Sequence, residues 1–218
     1  MRNCAKRRSR GFFAITCFKQ TEDAMEKPVY LIVGLGNPGE KYAHTRHNAG
    51  FEVMDLLEKK YAVKTRKRIL QPWAEAEWTD GTKKIVLCRP LTFMNNSGTA
   101  VKKLMAKYGV PAEQVLIIYD DIDLPPGKVR VRKSGGPGTH NGMRSIVGET
   151  GTDAFPRIRV GTGDRPAGQD LVSWVLGRPG EDEKPRMAEA FGIAAECAAE
   201  WAENGTDAAM RLASEKGK

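Results

Sequence analysis

Short apolar runs that alternate with helix-like segments are the feature that most limits how this chain can fold. Val29 to Val33 and Val115 to Tyr119 are continuous apolar runs, as expected of strands that are buried on both faces. Between them, apolar residues recur at helical spacing in two segments: Phe51, Met54, Leu57 and Tyr61, and Val101, Leu104, Met105 and Tyr108. The alternation predicts an α/β fold, a single-domain twisted sheet that is largely parallel (mixed), with helices on both faces.

The second half of the sequence adds strands with a different pattern. From Lys128 to Lys133, valines alternate with lysine and arginine, which predicts a strand with one apolar and one cationic face. Arg157 to Gly161 is predicted to be a second strand of this kind, with its two arginines on the cationic face. A glycine-rich loop, Ser134 to Gly142, lies between them and leads into a short helix. An Ala-rich helix from about Glu183 to Asn204 completes the predicted domain.

The charge balance is the first indication of function. The 218 residues include 35 Lys and Arg against 27 Asp and Glu, which gives a net charge of +8. A basic balance favours polyanionic partners, nucleic acid before a membrane surface, although many basic proteins bind nothing anionic. No run approaches the ~18 apolar residues of a membrane span. The four cysteines form no CxxC pair and no zinc-like spacing, so we expect reduced thiols in a reducing compartment.

The first 24 residues differ in composition from the rest. They are rich in Arg and Lys and poor in acidic residues, and they contain a short apolar stretch from Gly11 to Phe18 with no A-x-A-like site after it. We interpret residues 1–24 as a basic N-terminal extension that is disordered or not native, with Met25 as the natural start. A mitochondrial presequence is the other interpretation of such an Arg-rich segment.

A glycine motif after the first strand suggests a dinucleotide site only superficially. Gly34, Gly36 and Gly39 match the GxGxxG fingerprint, in which pyrophosphate lies on the N-terminus of the next helix. Here the predicted helix begins only near Gly50, and Asp55 lies within that helix instead of ending a second strand. We therefore expect no nucleotide cofactor. The sequence has only three histidines and no HExxH-like signature, so we expect no metal site either.

Polar side chains gather where three of the predicted strands end. Asn37 and His47 follow the first strand, Asn95 follows the strand that begins at Lys84, and Asp120 ends another strand. Ligands of open α/β sheets bind outside the carboxyl ends of the strands. These four side chains are therefore predicted to lie at one edge of the sheet.

This combination of residue types suits hydrolysis by an activated water. An imidazole with a neighbouring carboxylate is a suitable general base near neutral pH, because the carboxylate fixes the tautomer and stabilises the imidazolium. Side-chain amides hold a carbonyl or an oxyanion without adding charge. No GxSxG elbow or paired cysteine nucleophile is present. Each residue also has a structural alternative: Asp120 as a turn cap, Asn95 as a helix cap, and Asn37 and Asn141 as turn residues that tolerate positive φ.

Four segments together resemble a known family, the bacterial-type peptidyl-tRNA hydrolases. They are LIVGLGNPGEKYAHTRHNAGF (Leu31 to Phe51), RPLTFMNNSG (Arg89 to Gly98), DDIDLPPG (Asp120 to Gly127) and GTHNG (Gly138 to Gly142). The resemblance runs from about Met25 to near Leu212 in the same order along the chain. One departure is Thr139, where many members have glycine just before the HNG of the glycine-rich loop.

The resemblance implies hydrolysis of the ester that joins a peptide to the 3′ end of tRNA, with no metal or cofactor. Carried over by motif, His47 is the general base, Asp120 is its carboxylate partner, and Asn37 positions His47 or the substrate. Arg132 and Arg159 stand where the family grips a tRNA phosphate. The peptide part would be bound by a further group of residues: Tyr42, Phe93, Met94, Asn95 and Asn141.

We therefore expect residues 25–218 to form a peptidyl-tRNA hydrolase-like α/β domain. It would act as a cytoplasmic monomer on peptidyl-tRNA and release free tRNA and peptide during translation, without a metal or a membrane. The alternative is a non-catalytic RNA-binding relative on the same fold, since a fold does not by itself confer activity. The presence of the base, the carboxylate and all three amides favours the enzyme.

Overall fold

The structure is a computed structural model that describes residues 27–217. The predicted N-terminal extension, residues 1–24, lies outside the described residues. Seven strands form one mixed sheet: Val29–Gly34 (β1), Arg66–Lys67 (β2), Trp73–Thr79 (β3), Lys84–Pro90 (β4), Val115–Asp121 (β5), Val129–Arg132 (β6) and Arg157–Gly161 (β7). Their order across the sheet is β2-β3-β4-β1-β5-β7-β6. The predicted fold class is therefore confirmed.

Residues 27–217 contain six α-helices, five of which cover the two faces of this sheet. They are Ala49–Lys60 (α1), Ser97–Tyr108 (α2), Asn141–Thr150 (α3), Leu171–Val175 (α4), Lys184–Asn204 (α5) and Thr206–Lys216 (α6). Helices α1, α5 and α6 pack on one face, and α2 and α3 pack on the other. The long Ala-rich helix ends at Gly205 as predicted, but α6 was not predicted. None of the helices within residues 27–217 is long and apolar enough to cross a membrane.

The four central strands, β4, β1, β5 and β7, run parallel, so their carboxyl ends lie at one edge of the sheet. The apolar run predicted for β5 is buried on both faces throughout, and that of β1 is buried from Leu31 onward, with Val29 and Tyr30 half-buried. Strands β3 and β6 pair antiparallel with β4 and β7. Such a carboxyl edge is where open α/β sheets bind ligands.

Two glycines allow the start of α1 to pack directly against this edge. A Cβ on Gly50 would lie 2.3 Å from the backbone nitrogen of Leu35 and 2.5 Å from the carbonyl oxygen of Ile118. Gly34 is equally tight, because a Cβ there would lie 2.4 Å from the carbonyl oxygen of Gly50. Only the missing side chains allow this approach. It fixes the residues just before α1 above the ends of β1 and β5.

The two cationic strands differ from each other. In β6 the valines are buried and the arginines exposed, as predicted. The prediction for β7 was wrong at Arg157, which is 2% exposed and donates to the carbonyl oxygens of Asp153 (2.7 Å), Phe155 (3.1 Å) and Gly136 (3.2 Å). Strand β7 lies inside the sheet, between β5 and β6, where a side chain can be covered. The side chain of Arg157 is long, and its guanidinium has enough N–H donors to form hydrogen bonds with the loop carbonyls there.

Candidate active site

The carboxyl edge of the sheet holds a buried cluster of polar side chains. His47 lies in a 3₁₀ turn, Arg46–Asn48, that runs directly into α1. Asp120 is the second-last residue of β5 and is 3% exposed, while His47 is 8% exposed. The helix packing that places α1 above β5 therefore also brings these two side chains together.

His47 and Asp120 form a directed hydrogen-bonded pair. Nδ1 of His47 lies 2.9 Å from Oδ1 and 3.1 Å from Oδ2 of Asp120. An ionised carboxylate only accepts hydrogen bonds, so Nδ1 carries the proton and Nε2 of the neutral ring keeps its lone pair. Burial alone lowers the pKa of His47, but the charge of Asp120 and its hydrogen bond outweigh burial and raise that pKa above its usual value. The imidazole is therefore poised to accept a proton at Nε2.

His140 completes the cluster on the other side of the carboxylate, and the sequence prediction did not include it as a site residue. Its Nε2 lies 3.0 Å from Asp120 Oδ1, and its Nδ1 accepts the backbone N–H of Met143 at 3.2 Å. Nδ1 is thus an acceptor, so Nε2 carries the proton and donates it to Asp120. Burial lowers the pKa of His140. Both of its nitrogens are used, so only His47 of the two rings offers a free lone pair.

The same hydrogen bonds argue against a metal in this cluster. His47, Asp120 and His140 have the residue types and proximity of a three-ligand site. A metal on Nε2 of His140 would require its lone pair there, which would move the ring proton to Nδ1 and against the Met143 N–H. Although burial raises the pKa of Asp120, the two histidines hold it well below its usual range. The carboxylate is thus satisfied by ring N–H donors.

Asn37 is held so that its amide group faces the site. Its Oδ1 accepts the backbone N–H of Met94 at 2.8 Å, which leaves its NH₂ group available. Asn48 fixes the backbone of Asn37 with two bonds, from Asn37 N to Oδ1 (2.8 Å) and from Nδ2 to the Asn37 carbonyl (3.0 Å). Sequence reasoning missed this role of Asn48, and its only signal was its position directly after His47.

Two cavities meet at His47 and differ in character. The larger, of about 290 Å³, is bordered by the glycine-rich segment 134–141 and by Arg132 and Arg159. The smaller, of about 180 Å³, is lined by Asn37 and by a set of apolar and amide side chains: Phe93, Met94, Asn95, Asn141, Val172, Val175 and Leu176. Three of these come from helix α4 and the residue after it, which the sequence did not indicate. One cavity is lined by both arginines and aspartates, and the other presents amides on an apolar wall.

The structure thus brings together most of the predicted site residues. Tyr42 is the exception, because it lines neither cavity and instead packs edge-to-face on Phe93, with ring centroids 6.2 Å apart. Thr139 is not strained, because the positive φ angles of the glycine-rich loop fall on Gly135 (147°) and Gly138 (58°). The replacement of glycine by threonine at that position is therefore compatible with the loop.

The two predicted phosphate ligands are in different states. Arg132 is exposed and makes no ion pair within residues 27–217. Arg159 is three-quarters buried and ion-paired with Asp121 through Nε, and its second guanidinium nitrogen lies 3.8 Å from Asp123. The guanidinium of Arg132 is therefore a free cation, whereas the charge of Arg159 is neutralised by Asp121.

Arg46 ties the turn that carries His47 to the elements that cover the site. Its guanidinium carbon lies 3.6 Å from the ring centroid of Trp174 in α4, and it donates to the carbonyl oxygen of Arg178 (3.0 Å) and to Glu183 (2.5 Å). It is 4% exposed. This buried arginine couples the position of α4 over the cleft to the position of His47.

The glycine motif after β1 serves packing, not nucleotide binding. A Cβ on Gly36 would lie 2.6 Å from the ring of Phe51, so that ring fills the space beside the loop. The first helical turn after the motif is the 3₁₀ segment Glu40–Tyr42, which has no side-chain cap and no buried residue. Both observations support the expectation that no dinucleotide binds here.

Comparisons with known proteins agree with this geometry. A sequence model described as "Peptidyl-tRNA hydrolase" matches residues 31–218. Peptidyl-tRNA hydrolase of Clostridium novyi (strain NT) is 43% identical over 84% of this chain and 96% of that protein. That of Alkaliphilus metalliredigens (strain QYMF) is 47% identical over 75% of this chain and 87% of that protein.

Solved structures give the same result. The crystal structure of peptidyl-tRNA hydrolase from Acinetobacter baumannii superposes with a TM-score of 0.79 and 34% sequence identity. The match covers 85% of this chain and 94% of that one. The predicted resemblance is confirmed, and this chain belongs to the peptidyl-tRNA hydrolase family.

Proposed function

We propose that this protein hydrolyses the ester between a peptide and the 3′ end of tRNA, with His47 as the general base. The observation that carries the proposal is the orientation of the buried His47–Asp120 pair. Its bonded nitrogen faces the carboxylate, which leaves Nε2 free, and the ring borders both the cavity that contains Arg132 and the amide-lined one. An ester that joins a polyanion to a peptide requires such a junction.

The chemistry follows from this arrangement. His47 Nε2 takes a proton from a water molecule, and the resulting hydroxide adds to the ester carbonyl carbon. Asp120 stabilises the imidazolium and keeps the ring in the productive tautomer. When the tetrahedral intermediate collapses, the bond to the 3′ oxygen of the tRNA breaks. The imidazolium returns its proton to that oxygen, which leaves a free tRNA hydroxyl and a peptide carboxyl group.

The other site residues bind and orient the substrate. The NH₂ group of Asn37 is free to donate to the ester carbonyl or to the attacking water. Asn95 and Asn141 hold carbonyls of the peptide, against an apolar wall that includes Met94 and Phe93, which Tyr42 supports. Arg132 and Arg159 bind a tRNA phosphate in the larger cavity.

We further propose that residues 25–218 work as a cytoplasmic monomer without a metal. All the side chains of the site come from one chain, so a second copy is not needed to complete it. Both ring nitrogens of His140 are engaged in hydrogen bonds, so this ring has no lone pair left for a metal. Cys88 and Cys197 are buried free thiols, which suits a reducing compartment.

A single assay separates the enzyme from a non-catalytic RNA-binding relative. Purified protein is mixed with an N-acetylated aminoacyl-tRNA, and the release of free tRNA is followed, with the unacetylated aminoacyl-tRNA as the control substrate. We expect rapid release from the acetylated substrate only. If the protein binds tRNA but releases none, it is the binding relative.

A further inference from the structure

The outermost strand on one side of the sheet, β2, and its neighbouring residues carry a concentration of positive charge that the active site does not use. Residues 64–68, which we call the basic edge, contain four cations in five positions, and no acidic residue occurs between Lys59 and Trp73. All four cationic side chains are exposed. Ile69 and Leu70, which follow directly, are 92% and 96% exposed.

The charges of the basic edge are almost wholly free. Arg68 is the one member with an ion pair within residues 27–217, and its Nε lies 3.7 Å from Glu75. Glu75 is already bound by Lys107 and accepts hydrogen bonds from Trp73 and Tyr108, so its charge is satisfied without Arg68. The edge therefore presents positive charge to a partner.

The basic edge adjoins the amide-lined cavity through the strand pairing. Strand β3 runs antiparallel to β4, so that Trp73 faces Pro90 at the carboxyl edge of the sheet. The N–H of Leu91 donates to the carbonyl oxygen of Pro72 at 2.8 Å. The turn at residues 68–72 thus lies beside the segment that carries Phe93, one wall of the smaller cavity.

We propose that the basic edge binds acidic segments of the peptide carried by the tRNA, and so gives this enzyme a preference for acidic nascent chains. The inference rests on the proposed function. Strand β1, which leads to His47, is three strand spacings from β2. At about 4.8 Å per spacing, the distance between the two strands is about 14 Å. An extended peptide spans about 3.3 Å per residue, so residues roughly four to six from the ester reach the edge.

The position of the cleft favours peptide over RNA as the occupant. The ester lies at His47, and the tRNA side of it extends toward Arg132 on β6, at the opposite edge of the sheet. The peptide side extends through the smaller cavity toward β3 and β2. The chain that arrives at the basic edge is therefore the peptide, and its carboxylates complement the four cations.

Three substrates on the same tRNA test this inference. The short one is an N-acetylated aminoacyl ester, which ends before the basic edge. The two long ones carry a six-residue peptide with the same residues next to the ester, and with either Glu or Lys at the fifth and sixth positions from it. We expect kcat/KM for the Glu peptide to exceed that for the Lys peptide by about three- to tenfold at low salt. The preference should vanish at 1 M salt, where exposed charges are screened.

Charge reversal identifies the surface responsible. In the double variant Lys67→Glu/Arg68→Glu, the charges of residues 64–68 sum to zero, so the preference for the Glu peptide should be lost. The control is Lys103→Glu/Arg211→Glu, which changes two exposed cations on α2 and α6 by the same total charge and should keep the wild-type preference. Affinity for deacylated tRNA, measured by filter binding, should not change in the basic-edge variant.

The outcomes separate the two proposals. Failure of the wild type to hydrolyse even the short substrate would contradict the proposed function itself. Hydrolysis of the short substrate with equal kcat/KM for the two long ones would overturn the peptide inference alone. Weaker binding of deacylated tRNA by the basic-edge variant would also overturn it, because the edge would then be an RNA contact.

Discussion

The cluster around His47 and the cation Arg132 of β6 border the same cavity, yet their polar groups are arranged in opposite ways. In the cluster every proton position is set by a hydrogen bond, from His47 and His140 to Asp120 and from Met143 to His140. Arg132, by contrast, is exposed and unpaired within residues 27–217.

The two arrangements suit two different tasks, proton transfer and the binding of a charged partner. A general base needs one tautomer and one direction, and burial between fixed partners supplies both. A phosphate contact needs a cation that is free to meet a charged and mobile partner, and its strength then depends on salt. Removing a group from the cluster should therefore affect the rate, whereas removing Arg132 or Arg159 should affect binding.

The largest expected effect is that of His47→Ala. Loss of the general base should lower kcat by about 10²- to 10⁴-fold and leave tRNA affinity largely intact, which single-turnover kinetics and filter binding measure. The matched control is His44→Asn, at an exposed histidine bonded to Glu52. Asn tolerates the positive φ of that position (61°). Near-normal turnover in His47→Ala would mean that the proposed mechanism is wrong.

A smaller loss of rate, with a diagnostic pH shift, is expected for Asp120→Asn. The amide oxygen can still accept from His47, but the negative charge that raises the pKa of the imidazole is gone. The pKa of His47 should fall, so the acidic limb of kcat/KM should move to lower pH while the plateau drops.

The double variant sharpens this test. His47→Ala/Asp120→Asn should be about as slow as His47→Ala alone, because a carboxylate that serves the imidazole has nothing to support once the ring is absent. Losses that multiply would assign Asp120 an independent role. An acidic limb that stays in place or moves up in the single variant would contradict the charge argument.

The smallest effects are expected for Arg132 and Arg159 on the paired strands β6 and β7, and the two arginines should differ. Arg132→Ala should raise KM for tRNA substrates and lower the salt slope of binding by about one. Arg159→Ala should lower the slope by less, because its charge is already neutralised by Asp121. Binding titrations at several salt concentrations measure both slopes. Equal slopes for the two variants would show that tRNA displaces Asp121 completely.

The alternation of strands and helices, and with it the class of fold, follows from the amino-acid sequence alone. Continuous apolar runs predict doubly buried strands, and β5 and β1 from Leu31 onward are buried as expected. Because parallel strands share a carboxyl edge, the sequence also predicted that Asn37, His47, Asn95 and Asp120 would lie together. The motif resemblance then suggested a role for each.

The partners that these side chains contact depend on the tertiary packing and could not be predicted from the sequence. His140 entered the cluster because the Met143 N–H at the start of α3 orients its ring, and such a contact leaves no periodic signal in the sequence. Arg157 and Arg159 occupy alternate positions of one strand, yet one is buried on loop carbonyls and the other is paired with a carboxylate. Local patterns specify which face a side chain lies on. The partner it meets there depends on residues far away in the chain, which only packing brings into contact.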